Sequence, residues 1–284
     1  MALMNGARLG IAAQSVGVSQ AAYDEALKYA RERKQFDTEI VKFPAVYDMI
    51  ARIKAKLDAG RSILYQTARY VDIYKALEDI SRERKLTAEE RQELKKYSRL
   101  ADAFTPLAKG MNSEYANQNT YDAIQVHGGS GFIMEYKCQR LYRDARIFSI
   151  YEGTTQLQVV AAIRYISNGT YLGIIKEMLE KEVAEELKPL KTRVEEMVKL
   201  YEQALEYVKE GQDQEMHDFL ARRLYNMTCE IIMSLLILDD ATRSAELFAK
   251  SANVYVRMAQ ANVFGEHAYI TNFVKEDLPS FRAE

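Results

Sequence analysis

The chain of 284 residues is 48% apolar and carries a formal charge of −2. This length allows one large domain or two smaller ones, whereas the nearly balanced charge offers no dominant basic surface for nucleic acid. No apolar run approaches the length that spans a bilayer, and no secretion signal is recognisable. The two cysteines are far apart and the three histidines are dispersed, which indicates neither a disulfide framework nor a metal site. We therefore expect a cytoplasmic protein.

Long segments rich in Ala, Leu, Glu, Lys and Arg, with few prolines, predict an all-α fold. The first helix is predicted to end where "QFDTEI" breaks its pattern. A second helix of similar length is predicted from about Pro44 to Tyr74, because proline suits a first helical turn and an apolar stripe follows it. The charged residues 78–96 are interpreted as an exposed excursion, in which Thr87 and Glu90 form a capping box. That box leads into a third long helix, predicted to end near residue 126.

The glycine cluster "HGGSGFI", residues 127–133, interrupts the helical pattern after the third helix. A short helix is predicted from about Glu135 to Phe148, and a fifth helix after "IYEGTTQ". A helix stop at "SNGTYLG" predicts two domains, 1–168 and 169–284. In the second domain, helices predicted over 174–210, 213–238 and 241–263, with breaks at "LKP", "EGQD" and "LDDAT", form a further helical bundle.

Three short segments carry side chains suited to chemistry. In "QVHGGSGF", glycines can adopt positive φ and approach a ligand, although a plain connection between helices shows the same pattern. In "RERKQF", a cation and an aromatic ring can meet a cofactor, or the basic residues can simply favour a helix end. In "IYEGTTQLQ", Glu152 is either an ordinary acid in the first turn of a helix or a catalytic carboxylate. Taken singly, these patterns leave both interpretations open.

Together, the three segments closely resemble, in order and spacing, the C-terminal helical domain of the acyl-CoA dehydrogenases. The resemblance covers residues 1 to about 168 and includes the first helix, "RLGIAAQSVGVSQAAYDEALKYARERKQF". Its motifs are specific, because the Arg-x-x-Phe helix end, the Gln-x-x-Gly-Gly turn and "RD…IYEGT" occur together in that flavoprotein family. The remaining residues, 169–284, resemble the helical C-terminal extension of larger bacterial members.

In this family, the glutamate of "YEGT" is the base that removes the α-proton of an acyl-CoA thioester while a hydride leaves the β-carbon for FAD. Glu152 matches that glutamate. Such a base must be held close to the substrate and kept from water, because an α-proton beside a thioester is only weakly acidic. Some members carry the base on the first long helix, at the position that is Ala7 here, so the resemblance favours Glu152.

Further residues match family positions that contact FAD or substrate. Those matching contacts to the FAD of a neighbouring subunit are Arg33, Gln35, Phe36, Gln125, Gly128 and Gly129. Those matching contacts to the subunit's own FAD are Thr154 and Gln156. Those matching substrate positions are Arg8, as a buried arginine, and Tyr151 and Gly153. A site shared in this way implies a homodimer or homotetramer. The family usually has glycine after the Arg-x-x-Phe pair, where this chain has Asp37.

The resemblance implies an FAD-dependent acyl-CoA dehydrogenase that passes electrons to an electron-transferring flavoprotein. An acyl-CoA oxidase shares the base and the flavin, so the residues do not separate these two activities. A non-enzymatic helical scaffold derived from the family is the alternative from a different class. Complete members have two further domains before this region, so we expect a fragment that binds FAD poorly and is inactive on its own.

Overall fold

The structure, a computed structural model, describes residues 2–283, with side chains from residue 6 onward. It confirms the all-α class. The α-helices are α1 (Ala2–Glu32), α2 (Pro44–Glu83), α3 (Ala88–His127), α4 (Cys138–Ala145), α5 (Thr155–Ser167), α6 (Thr170–Leu179), α7 (Lys188–Glu210), α8 (Gln214–Arg243) and α9 (Ala245–Asn272). Short 3₁₀ turns cover Ile40–Lys42, Gly128–Phe132, Arg146–Ser149, Glu185–Leu187 and Lys275–Phe281.

The chain forms two compact units, one up to Gln158 and one from Val159 onward. The division falls inside α5, which is one continuous helix. The boundary of 1–168 and 169–284 remains a prediction. Over the described residues 2–283, no helix combines the length and apolarity that crossing a membrane requires.

The region between α2 and α3 differs from its prediction. Helix α2 continues to Glu83, because Leu77 is still buried and keeps one face of the helix packed. The excursion predicted over residues 78–96 is therefore mostly helical, and only a four-residue connection separates α2 from α3. The capping box is confirmed, since Glu90 N donates to Thr87 Oγ1 at 3.2 Å and Thr87 N donates to Glu90 Oε2 at 2.9 Å.

A small hairpin replaces the featureless break predicted after α1. Strand β1 (Lys34–Gln35) pairs antiparallel with β2 (Thr38–Glu39). The two residues between them, Phe36 and Asp37, have φ of 50° and 58°. Positive φ at both central residues is the geometry of a type I′ turn, which matches the twist of the strands that it joins. The sequence of this segment has no alternation of apolar and polar residues from which such short strands could be predicted.

The first unit is built on three long helices. Helices α2 and α3 are antiparallel, because Lys56 Nζ lies 3.9 Å from Asp122 Oδ2 while Tyr70 packs edge-on against Phe104. Helix α1 completes the group through small side chains, which allow its backbone to lie close to its neighbours. The fully buried alanines of α1 are Ala12, Ala22, Ala26 and Ala30. Predicting a long buried first helix was therefore correct.

The second unit is a separate helical group whose core lies around α8. Its largest fully buried side chains include Tyr171, Tyr201 and Tyr225, and Thr228 Oγ1 donates to the Tyr201 hydroxyl at 2.9 Å. Burial raises the pKa of these tyrosines, which keeps them neutral and apolar in the core.

Of the three breaks predicted in this unit, one is wrong. The breaks at "LKP" and "EGQD" are confirmed, because α7 begins at Lys188 with Pro189 in its first turn and α8 begins only at Gln214. The break predicted at "LDDAT" is absent from the described chain, and α8 runs through it to Arg243. Burial of Leu238 and Ala241 and the pairing of Arg243 with Asp239 at 2.9 Å outweigh the polar sequence there.

The contact between α2 and α3 at Gly60 yields a stability prediction. A Cβ on Gly60 would overlap with Asn112 Oδ1, and the Asn112 amide donates to the Gly60 carbonyl at 3.2 Å. We expect Gly60→Ala to lower the free energy of unfolding by about 1–3 kcal/mol, measured by urea denaturation. Gly17→Ala is the matched control, because a Cβ on Gly17 meets open space on α1. Equal stability of the two variants would contradict the proposed close packing.

Candidate functional site

The turn that carries Glu152 has a backbone conformation that side-chain residues rarely adopt. Glu152 has φ of 53° and Gly153 has φ of 91°. A non-glycine residue in this region persists only when its surroundings hold it there. Three donors do so: Arg8 Nε donates to the Glu152 carbonyl at 3.2 Å, while Lys109 Nζ and Gln158 Nε2 donate to the Gly153 carbonyl at 2.7 and 3.0 Å. The turn is thus held by side chains of α1, α3 and α5.

Glu152 is not an ordinary acid in the first turn of a helix. Helix α5 begins at Thr155, and its first turn contains no acidic residue. Thr154 precedes it, and its Oγ1 accepts a hydrogen bond from the Leu157 N–H at 3.3 Å, as a capping residue does. Glu152 therefore lies outside the helix, on the strained turn. That interpretation of Glu152, left open by the sequence, is wrong.

The side chains around Glu152 define its immediate surroundings. The Tyr151 hydroxyl donates to Gln14 Oε1 at 2.6 Å, and burial together with the neighbouring Glu152 charge raises the pKa of Tyr151. The Glu152 side chain itself is exposed, as is that of Gln156. The described residues of this chain therefore do not provide the water-poor pocket that the sequence comparison implied. A substrate or another segment would have to exclude water from this carboxylate.

Arg8 was predicted from the sequence as a site residue, whereas Lys109 was not. Arg8 was expected to be buried, but it is half-buried, because its guanidinium reaches the turn at the edge of the unit. Lys109 was missed, although a lysine inside the small and apolar run "FTPLAKGM" was a signal that could have revealed it. Burial, and to a lesser degree the charge of Arg8, lowers the pKa of Lys109 to about 8. Glu114 and Glu152 act in the opposite direction.

The hairpin places a second set of predicted residues together. Arg33 and Gln35 are exposed, and the Phe36 ring is 92% exposed at the tip. Asp37 occupies the second central position of the type I′ turn, where aspartate is tolerated. The departure from the family's usual glycine is thus accommodated by this turn.

The glycine turn after α3 uses its glycines in different ways. Gly128 ends α3 with φ of 59°, and a Cβ on Gly131 would lie 2.9 Å from the Ile124 carbonyl oxygen. Gly131, which the sequence did not single out, is therefore required by packing. Gly129 is exposed, and a Cβ on it meets nothing within 4 Å. Its own surroundings do not demand glycine, which leaves room for a ligand or a partner to approach.

Tyr29 connects the glycine turn to the end of α1. Its ring stacks on His127 with centroids 4.3 Å apart, and its hydroxyl donates to Ser130 Oγ at 3.2 Å. Its carbonyl accepts from the Arg33 N–H at 2.8 Å, just before the hairpin. Gln125 lies exposed on the last turn of α3. A guanidinium, a free aromatic ring, amides and an open backbone thus occupy one end of the unit, a donor set that suits a ligand with anionic and aromatic parts.

The predicted residues therefore fall into two groups at opposite ends of α1. Arg8 marks the Glu152 end and Tyr29 marks the hairpin end, and the helix between them spans roughly 30 Å at 1.5 Å per residue. The group at the Glu152 end comprises Arg8, Tyr151, Glu152, Gly153, Thr154 and Gln156. The group at the hairpin end comprises Arg33, Gln35, Phe36, Gln125, Gly128 and Gly129. One chain cannot bring both groups to the same reacting atoms.

Among residues 2–283 there is no group of three or more His, Cys, Asp or Glu side chains placed to hold a metal ion. Cys138 is buried beside His127, with its Sγ 3.5 Å from His127 Nδ1. Burial raises the pKa of this thiol to about 12, so it belongs to the core.

Two family models match the chain. The model described as "Acyl-CoA dehydrogenase, C-terminal domain" matches residues 1–165, and the one described as "Acyl-CoA dehydrogenase C terminal" matches residues 167–278. The first alone covers more than half of the chain.

Similar proteins agree with these matches. The "Caffeyl-CoA reductase-Etf complex subunit CarC" of Acetobacterium woodii is 42% identical over 151 residues, which is 53% of this chain and 34% of that protein. The "3-(aryl)acrylate reductase" of Clostridium sporogenes is 39% identical over the same shares. The chain thus spans about a third of the length of these curated relatives.

A solved structure, of an acyl-CoA dehydrogenase complexed with FAD from Bacillus anthracis, superposes with a TM-score of 0.71 at 21% identity. The superposition covers 99% of this chain and 51% of the Bacillus anthracis chain. At this identity the likeness shows the fold.

The strained turn leads to a prediction for Gly153. A Cβ on Gly153 would lie 2.9 Å from Gln158 Nε2, in addition to the cost of its positive φ. Gly169→Ala is the control, because Gly169 also has positive φ, at 76°, but open space around it. We expect Gly153→Ala to reduce the free energy of unfolding by more than the about 1–2 kcal/mol that a left-handed alanine costs in the control. Denaturant titration of both variants measures the difference, and an equal loss would rule out crowding at the turn.

Proposed function

Because the chain belongs to the acyl-CoA dehydrogenase family, we propose that it is the C-terminal part of an FAD-dependent oxidoreductase acting on the α- and β-carbons of acyl-CoA thioesters. The observation that carries this proposal is the turn at Glu152. Its left-handed backbone is held by Arg8 and Lys109, while the carboxylate stays exposed. Backbone strain of this kind, maintained by surrounding donors, is typical of functional sites.

Glu152 acts as the base in this proposal. Its carboxylate oxygen removes the α-proton of the thioester, and the held turn keeps that oxygen at one position relative to the substrate. When bound, FAD supplies the acceptor for the β-hydride. Tyr151 and Gly153 flank the base and line the path of the thioester. The pocket that desolvates the carboxylate is completed by the substrate and by parts of the protein outside the described residues.

FAD binding is shared between subunits in this proposal. Thr154 and Gln156 contact the subunit's own FAD beside Glu152. The hairpin group of a neighbouring subunit, with Arg33 at the diphosphate and Phe36 near the flavin, completes the site. The distance of roughly 30 Å between the two groups along α1 supports this division, because one subunit cannot supply both to one flavin. The protein is accordingly a homodimer or homotetramer, whose two-fold symmetry repeats the arrangement in each site.

A second candidate is the same chemistry run towards reduction. The relatives at 42% and 39% identity are named as reductases, one of caffeyl-CoA and one of 3-(aryl)acrylate. In this direction the Glu152 carboxyl would donate its proton to the α-carbon of a 2-enoyl thioester, and reduced FAD would supply the hydride to the β-carbon. The same residues serve both directions, since a group that removes a proton in one direction returns it in the other.

The electron acceptor separates the remaining alternatives. We propose an electron-transferring flavoprotein as partner, supported by the relative whose name includes an Etf complex. An acyl-CoA oxidase would instead pass the electrons to oxygen, so reoxidation in air against reoxidation by the flavoprotein distinguishes them. A non-enzymatic scaffold derived from the family accounts less well for the structure, because a scaffold has no use for a strained, exposed glutamate.

The role of Glu152 is tested in the full-length protein that carries this chain, loaded with FAD. We expect Glu152→Gln to slow anaerobic flavin bleaching by saturated acyl-CoAs by about 10²–10⁴-fold, because the base is lost. Glu152→Asp keeps a carboxylate with shorter reach and retains more activity. Glu93→Gln, which removes an exposed carboxylate of α3, is the matched control. Bleaching of Glu152→Gln at the parent rate would show that Glu152 is not the base.

The reductive direction is tested separately, by a screen of 2-enoyl thioesters that includes aryl-substituted ones.

The shared site is tested by mixing two inactive variants. Arg33→Ala damages the hairpin group and Glu152→Gln damages the base, so each homo-oligomer is expected to be inactive. In a mixed dimer, one site receives Arg33 and Glu152 from different, undamaged halves. Random pairing therefore restores activity to about a quarter of the parent sites. Mixed oligomers confirmed by two affinity tags but lacking activity would overturn the division of the site between subunits.

A further inference from the structure

Lys109 is an unusual residue in this structure, because its side chain is fully excluded from solvent. It lies in the middle of α3, and none of its surface is exposed. Lysine is almost never fully buried unless its charge is compensated, since removing an ammonium group from water is costly. The hydrogen bond of Lys109 Nζ, at 2.7 Å, goes to the backbone carbonyl of Gly153. This buried cation therefore binds a turn that lies 44 residues later in the chain.

Burial, more than any neighbouring charge, disfavours the protonated form of Lys109. Burial and the nearby Arg8 guanidinium lower its pKa to about 8, and the attraction of Glu114 and Glu152 offsets this only in part. A lysine in this situation weakens the folded state relative to an apolar side chain of the same size. The stability of the fold therefore does not explain why a lysine occupies position 109. Its hydrogen bond to the Gly153 carbonyl does offer an explanation.

The contacts of Lys109 and Arg8 together hold two consecutive carbonyls. Arg8 Nε binds the carbonyl of Glu152 from α1, and Lys109 Nζ binds the carbonyl of Gly153 from α3. Fixing both carbonyls fixes the two peptide planes on either side of the Gly153 Cα, the first of which is the plane that follows Glu152. With that plane held, Glu152 can relax from φ of 53° to the negative values that its side chain prefers only if Tyr151 and the chain before it move.

We infer that Lys109 is a positioning residue, whose amine locks the Gly153 carbonyl and thereby keeps the Glu152 side chain in one orientation. This inference rests on the proposed role of Glu152. The base must meet an α-proton within a fraction of an ångström, and a 1 Å displacement can cost about 100-fold in rate. Gln158 Nε2 also donates to the Gly153 carbonyl, but it comes from α5, directly after the turn, and moves with it. Lys109 anchors the turn to a different helix.

The first measurement needs no cofactor. In Lys109→Met, a side chain of similar length without a donor, we expect hydrogen exchange of the peptide covering residues 147–158 to accelerate by about tenfold or more, as a local opening. Lys56→Met is the matched control, since Lys56 is also a buried lysine of the bundle but lies near Asp122. We expect it to leave exchange in the 147–158 peptide unchanged. Parent-like exchange of this peptide in Lys109→Met overturns the inference, as does uniform acceleration across all of the helices of the first unit.

The second measurement uses the full-length protein loaded with FAD. We expect Lys109→Met to lower kcat for flavin bleaching by about 10- to 100-fold while KM for the acyl-CoA changes much less, because the base is displaced and binding is kept. If Glu152→Gln is inactive but Lys109→Met keeps the parent kcat, only the positioning role fails. If Glu152→Gln is as active as the parent, the proposed function fails first.

Stability against pH gives an independent check that Lys109 is buried as the structure shows. Its pKa falls from 10.5 in the unfolded chain to about 8 in the folded protein. Between these values the unfolded state binds more protons, so stability contributed by Lys109 rises with pH in this window and is flat below it. The parent should therefore gain stability relative to Lys109→Met as pH rises from about 8 to 10.5, measured by urea denaturation. A constant difference across this window contradicts the buried amine on which the inference depends. The charged groups that act on the amine are Arg8, Glu114 and Glu152.

Discussion

The hydrogen bonds from Arg8 and Lys109 to two neighbouring carbonyls are the interactions on which the candidate site depends. They hold Glu152 in a backbone conformation that costs free energy, and they come from two helices far apart in sequence. Because α1 and α3 pack along much of their length, the two donors have fixed positions. The turn, a short connection before α5, is therefore held in one position by donors on two packed helices. Rigid helices that position a functional loop are a common way to combine precision with exposed chemistry.

The length of α1 places the two groups of predicted site residues at opposite ends of the first unit. At one end it supplies Arg8 to the Glu152 turn, and at the other Tyr29 joins the hairpin to the glycine turn. Fully buried alanines along the helix allow the close packing that keeps these ends at a constant distance. A ligand shared between two copies of the chain would use both ends, one from each copy. In such an arrangement the exposed Phe36 ring would be covered by the shared ligand.

Much of the helical architecture could be predicted from sequence, and the failures have identifiable causes. The capping box at Thr87 and Glu90 was correct because it depends on a local exchange of hydrogen bonds over four residues. The end of α2 and the continuation of α8 through "LDDAT" were wrong, because burial of residues such as Leu77 and Leu238 decided them. Local propensity is a weak prior that tertiary packing overrides. The hairpin was missed, since two-residue strands leave no alternation to detect.

The sequence by itself determined the all-α class, the family and the identity of the residues to consider, because these depend on composition and on motifs contiguous along the chain. It did not separate a helix-start acid from a strained, externally held glutamate at residue 152. That distinction needed the φ of the turn and the donors of α1 and α3. Lys109 and the separation of the site into two ends also emerged only from the folded chain. Burial, backbone strain and distance are set by residues far apart in sequence, so tertiary structure alone decided them.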